Sequence, residues 1–162
     1  MTVRLPVELA LRCSGCGEVV DDPTVAACPS RRLGDDIDHR LEVPVVATPW
    51  PSELARDHPN PFVAYRTLGY SHRVALVLGL SDDDYVSLVE ELDAAVTAVD
   101  GRGFRRTELR EQPELARACG FGPGTRLWVK DETGNVSGSH KARHLMGLMI
   151  HQRVLEAAGV AD

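Results

Sequence analysis

The stretch Lys130-Asp131-Glu132-Thr133-Gly134-Asn135-Val136-Ser137-Gly138-Ser139-His140-Lys141-Ala142-Arg143 decides how this chain is read. Before it runs Leu127-Trp128-Val129, a short apolar segment bounded by Arg126 and Lys130, which predicts a buried strand with Trp128 in the core. The strand ends in acids, and the Gly, Asn and Ser residues after it predict a loop. From about 139 to 158, Leu145, Met146, Met149, Val154 and Leu155 give a helix its apolar side, and Gly159 supplies its stop. Lys141 then falls in the first turn of that helix. Unsatisfied amides and a partial positive charge at this end favour a bound phosphate or carboxylate and disfavour a second cation. The neutral amine is the form of lysine that attacks a carbonyl. Gly138 and Ser139 are small enough to let backbone approach a ligand. A neutralisable lysine beside an anion site is what an aldehyde-phosphate cofactor requires, and a solvated surface lysine is the competing reading of the same placement.

The run closely resembles the cofactor-lysine motif of the fold-type II pyridoxal-phosphate enzymes, the tryptophan synthase beta-chain-like family. Threonine synthases carry a similar strand, acids, an Asn, then Thr/Ser-Gly-Ser-Phe-Lys with an Arg nearby. The matching residues here are Val129-Lys130-Asp131-Glu132, Asn135, Ser137-Gly138-Ser139-His140-Lys141 and Arg143. His140 replaces the commoner Phe and is similar to the His that precedes the lysine in the tryptophan synthase beta chain. Upstream, Phe104-Arg105-Arg106-Thr107-Glu108-Leu109 stands in the place of the family's Thr-Pro-Leu segment, with Glu108 where Pro is usual.

The resemblance covers about residues 101 to 162. It implies pyridoxal 5′-phosphate joined to Lys141, with Ser139, His140 and Asn135 beside it. It also implies the start of an α/β cofactor domain, an incomplete parallel sheet with helices. The implied reaction is threonine-synthase-like: β- or γ-elimination or replacement on an amino-acid substrate, with Lys141 as general base. The family's Ser-x-Gly-Asn loop and Gly-rich phosphate cradle have no counterpart in the 162 residues. The expectation is therefore the N-terminal portion of such a lyase or synthase: a truncated product, a fragment or half of a split protein. It would be inactive alone, with a complementing C-terminal chain or a homodimer as partner.

Cys13-Ser14-Gly15-Cys16-Gly17 is a C-x2-C-G knuckle, whose two thiolates at this spacing can grip one tetrahedral zinc. Cys28-Pro29 follows, and many threonine synthases resemble this start, with C-x2-C-G and then C-P-x-C. Arg31 occupies the place of the last cysteine, and His39 is the candidate fourth ligand of a Cys3His site. A ribbon that persists without metal, its cysteines simply buried, is the alternative. Cys119 is expected to be a buried packing residue.

Residues 1–47 thus read as a degenerate zinc-ribbon-like segment, 48–110 as a mostly helical region and 111–162 as the truncated cofactor domain. Thr48-Pro49-Trp50-Pro51 reads as the linker between the first two. Asn60-Pro61 predicts a helix start, with Phe62, Tyr65 and Leu68 at helical spacing. The clearest helix spans 82–99, capped by Ser81 and Asp84, striped by Tyr85, Leu88, Val89, Leu92, Val96 and Val99, and stopped by Gly101. His144 and His151 are expected on the polar side of the last helix.

With 24 acidic against 18 basic residues the net charge is −6, which argues against nucleic-acid binding through a basic face. No apolar run approaches the roughly 20 residues of a membrane span, and the start lacks a secretory core, so a cytoplasmic protein is expected. A second class of function remains open: a zinc-ribbon-like interaction module with a vestigial enzyme segment. On that reading Asp35, Asp36 and Asp38 mark a solvated or partner-facing loop.

Overall fold

The computed structural model describes residues 3–45 and 58–161, so the Pro-rich stretch at 48–51 lies outside the described residues. Near the N-terminus three very short strands form an antiparallel sheet. β1 (Leu11–Cys13) lies between β2 (Val19–Val20) and β3 (Leu41–Glu42). Leu11 pairs with Val20, and Cys13 with Leu41. That register brings the end of the first knuckle strand beside the chain that follows His39.

The helical layer begins where the Asn-Pro pair predicts. In α1 (Pro61–Ala64) the Asn60 side chain accepts the Phe62 N–H and Pro61 occupies the first turn. The spacing of Phe62, Tyr65 and Leu68 is not kept in one helix. A 3-10 turn at Arg66–Leu68 and an extended Gly69 intervene before α2 (Tyr70–Val77). α3 (Asp82–Asp100) has the expected start and stop. Ser81 accepts the Asp84 N–H, Asp84 reaches back to the Ser81 N–H, and Gly101 closes the helix at φ 77°. Val99 lies past the packed part of the stripe and is exposed.

β4 (Leu109–Glu111), α4 (Pro113–Ala118) and β5 (Trp128–Lys130) follow, then a 3-10 turn at Val136–Gly138 and α5 (Lys141–Ala157). β4 and β5 are antiparallel, with Leu109 opposite Lys130 and Glu111 opposite Trp128. Both sheets of the described residues are therefore antiparallel, where the resemblance implied a parallel one. The physical reason is local. The segment between the strands doubles back through one short helix and makes a long hairpin, whereas a parallel pair needs a crossover that returns to the starting end.

α2, α3 and α5 share the main core, in which Val74, Val89, Phe104, Met146, Ile150 and Val154 are almost fully buried. Leu5 and Leu9 reach into it from the N-terminal segment. Several burial expectations are corrected. β5 is exposed, and Trp128 retains 47% of its surface. The Arg126 guanidinium lies over the Trp128 ring, 4.9 Å from its centre. Cys119 is exposed. On α5 the buried line is Ala142, Met146, Ile150, Val154 and Leu155, while Leu145 (59% exposed) and Met149 face away. Positions 145 and 149 sit about 100° around the helix from that line. His151 is half-buried: it bonds the Pro23 carbonyl and Ser71 rather than lying on a polar side. No helix of the described residues is long and apolar enough to cross a membrane.

Candidate functional site

Two separate groups of residues that the sequence singles out are brought together. The first is the knuckle. The β1–β2 turn is tight: Cys13 N–H donates to Glu18 O and Gly17 N–H to Cys13 O. Ser14 N–H donates across to Arg40 O, which docks the 37–40 segment on the turn. Gly15 allows that docking, because a Cβ there would lie 2.5 Å from Ile37 Cγ2 and 2.6 Å from the Asp38 carbonyl oxygen.

As a result Cys13, Cys16, Cys28 and His39 converge, all four ligand atoms lying within 4.8 Å of one another. Cys16 Sγ is 3.6 Å from Cys28 Sγ. His39 Nδ1 is 3.3 Å from Cys28 Sγ and 3.5 Å from Cys13 Sγ. Tetrahedral zinc, with bonds of about 2.3 Å to sulfur and about 2.0 Å to nitrogen, puts neighbouring ligand atoms about 3.5–3.8 Å apart. The donor set and its spacing fit. Three thiols and one imidazole can hold a metal such as zinc, in the combination the sequence suggests with His39 as fourth ligand.

The electrostatics are those of thiols crowded together. Amides of Cys16 and Gly15 pull the Cys13 thiol down to about 6 against the opposing effect of burial. Burial pushes the Cys28 thiol up to about 11, reinforced by the neighbouring sulfurs. Such a cluster favours one thiolate and resists the next unless a cation is present.

The second constellation surrounds Lys141, the first residue of α5. Its backbone N–H donates to Ser139 Oγ at 3.2 Å. The Ser139 carbonyl accepts Asn135 Nδ2–H at 2.9 Å. Asn135 is 1% exposed, and among the described residues its Oδ1 has no hydrogen-bond partner. Between them Ser137 takes a left-handed backbone (φ 51°) unusual for a residue with a side chain, followed by Gly138 at φ 60°. Asp100, at the end of α3, accepts the Ser137 N–H at 3.1 Å and holds that turn. A cleft of about 350 Å3 opens beside it, walled by Phe104, Val136, Met146 and Met149, with Ser139 and Lys141 on its lining. That volume sits at the small end of ligand pockets. His140 is exposed.

The chain has two lysines. Lys130 is engaged: its amine bonds the Thr107 carbonyl and hydroxyl and lies 3.6 Å from Glu132. The Lys141 side chain is exposed, and among the described residues its amine has no hydrogen-bond partner. Arg143 and Glu132, noted in the sequence only as parts of a motif, form the brace of the site. Arg143 Nε donates to Glu132 at 2.8 Å and Nη2 to the Arg105 carbonyl at 2.8 Å, and Thr107 donates to Glu132 at 2.5 Å. Although burial acts against it, these donors hold the Glu132 carboxyl below its usual value. Asp93 braces the segment before β4, accepting the Phe104 N–H at 2.6 Å and Arg105 at 2.9 Å. Sequence reasoning missed Asp93, although an acid one turn beyond Val89 on an apolar stripe was the signal.

The lysine cleft and the Cys3His cluster share no residue. No family model, curated protein or solved structure matches the chain.

Proposed function

We propose that the chain is the lysine-bearing portion of a pyridoxal-phosphate-dependent lyase or synthase, threonine-synthase-like, acting on an amino acid, with a zinc knuckle at its start. The observation that carries the reading is the amine of Lys141, unengaged at the mouth of a long helix beside an apolar cleft. The motif spacing from Val129 to Arg143 supports it. The left-handed backbone of Ser137, a residue on the lining of the cleft, supports a ligand there.

Lys141 would hold the cofactor, with Ser139, His140 and Asn135 near it. When bound, the cofactor supplies an electron sink for carbanion chemistry. The chain's own residues do the positioning. Glu132, Thr107 and Arg143 fix the first turn of α5, Phe104 and Met146 keep water from one wall, and the helix end favours an anionic group. Turnover would need further groups, from a complementing chain or a second copy.

The test is reductive trapping. The full chain is incubated with pyridoxal phosphate, reduced with borohydride and mapped by mass spectrometry. Lys141 should carry the label well above Lys130, and Lys141→Arg should lose it. Equal labelling of the two lysines, or none, would reject the reading.

A second reading has its own observation in its favour. The Cys3His cluster stands apart from the lysine cleft, as in a zinc-ribbon-like interaction module whose enzyme segment is vestigial. Such a module would keep its binding in the Lys141→Arg variant.

A further inference from the structure

A metal-bound histidine needs more than its distance to the metal, because one ring nitrogen must offer a lone pair and the other must carry the proton. His39 is nearly enclosed, its side chain 3% exposed. Its Nδ1 faces the sulfurs, and its Nε2 lies 3.1 Å from Asp35 Oδ2. Asp35 is pinned in turn. Oδ2 accepts the Arg32 N–H at 2.9 Å. Asp36 and Asp38 have no such place; Asp38 pairs instead with Arg40 at 2.7 Å, in solvent.

We infer that Asp35 is a positioning residue for the metal site: its carboxylate accepts the Nε2 proton of His39 and so aims the Nδ1 lone pair at the metal. This rests on the reading that Cys13, Cys16, Cys28 and His39 hold zinc. A carboxylate behind a ligating imidazole fixes the ring's orientation and raises its basicity, and losing it typically costs about 10–100-fold in metal affinity.

The experiment uses the full chain and zinc itself. Wild type, Asp35→Asn, Asp35→Ala, Asp36→Asn and Asp38→Asn are titrated by competition with a chromophoric chelator. The His39 ring Nε2–H is followed by NMR in the zinc-loaded proteins. Wild type should bind one zinc. Asp35→Asn should weaken binding at least tenfold, and Asp35→Ala should approach a hundredfold. Both should expose the Nε2–H to faster solvent exchange. Asp36→Asn and Asp38→Asn should stay within about threefold of wild type. Should Asp35→Ala fail to fold, the near-isosteric Asn variant decides. If wild type binds no zinc, the four-ligand reading fails and this inference with it. If wild type binds one zinc but Asp35→Asn binds equally well, or all three Asn variants weaken alike, the inference alone is overturned: Asp35 would then act only as diffuse negative charge or not at all.

Discussion

Gly15 and Gly17 occupy the same knuckle for different reasons, and the difference is testable. A Cβ at Gly15 would collide with Ile37 and with the backbone of Asp38, the chain that leads into His39. At Gly17 there is open space but a left-handed backbone, φ 78°. Gly15→Ala must therefore push the 37–39 segment off the turn. Overpacking of this kind costs about 1–3 kcal/mol, and zinc affinity should fall with it because a ligand is displaced. Gly17→Ala should cost only the backbone strain, about 1–2 kcal/mol, with the ligand set undisturbed. Zinc competition and urea denaturation of both variants check this; equal zinc affinity in Gly15→Ala and wild type would show that the docking does not govern the site. At this scale the sequence was partly legible. Cysteine spacing marks Cys13 and Cys16, and His39 offers itself as the missing ligand. Asp35 was not separable from Asp36 and Asp38, because three acids in one loop look alike until a fold chooses which one meets the histidine.

Helix ends were legible for the opposite reason: a cap is a local contest between side chain and backbone, settled within four residues. Asn60, Ser81 and Gly101 all act where the sequence puts them. Burial is decided by distant partners, and there the sequence misled, at Trp128, Cys119 and Leu145. Asp82 shows how one element is tied to others beyond its cap. Arg66 grips it with two hydrogen bonds of 2.7 Å, and His72 Nε2 lies 2.8 Å from Oδ1. The Arg66 hydrogen bonds, aided by His72, draw the Asp82 carboxyl down to about 2. An unfolded Asp titrates near 3.9, so the folded value is the lower one. The stabilisation is then fully present above about pH 4 and is lost as pH falls toward 2. The carboxylate is 45% exposed, so solvent screens part of the effect. Measured by denaturation from pH 7 to pH 2, the stability gap between wild type and Asp82→Asn should be flat above pH 4 and close below it. A gap independent of pH would mean that the ion pair does not stabilise α3.

At the scale of the molecule the two parts are held together by different forces. The helical part has a continuous apolar core from Val63 to Leu155. The knuckle part buries little beyond Cys13, Val20 and Cys28 in residues 11–45, and none of these joins that core. A segment this small with strands of two or three residues lacks the buried surface to fold alone, and small units of this kind need a metal or cross-link. Its attachment to the helices is also thin. Leu5 and Leu9 insert into the core, Tyr70 Oη donates to the Leu9 carbonyl at 3.1 Å, and His151 Nε2 donates to the Pro23 carbonyl at 3.4 Å. Metal bound at the Cys3His cluster would contribute folding energy to residues 11–42 and to little else. Stripping zinc with a strong chelator should remove amide protection from 11–42 in hydrogen exchange. It should leave α2, α3 and α5 protected and the helical circular dichroism nearly unchanged. Heating the metal-free chain should show a single transition, that of the helical core, because the knuckle is already unprotected. If the chelator instead melts α3 and α5 together with the knuckle, the core and the metal site form one cooperative unit. The thin seam through Leu9 and Pro23 would then have to carry far more coupling than its few contacts suggest.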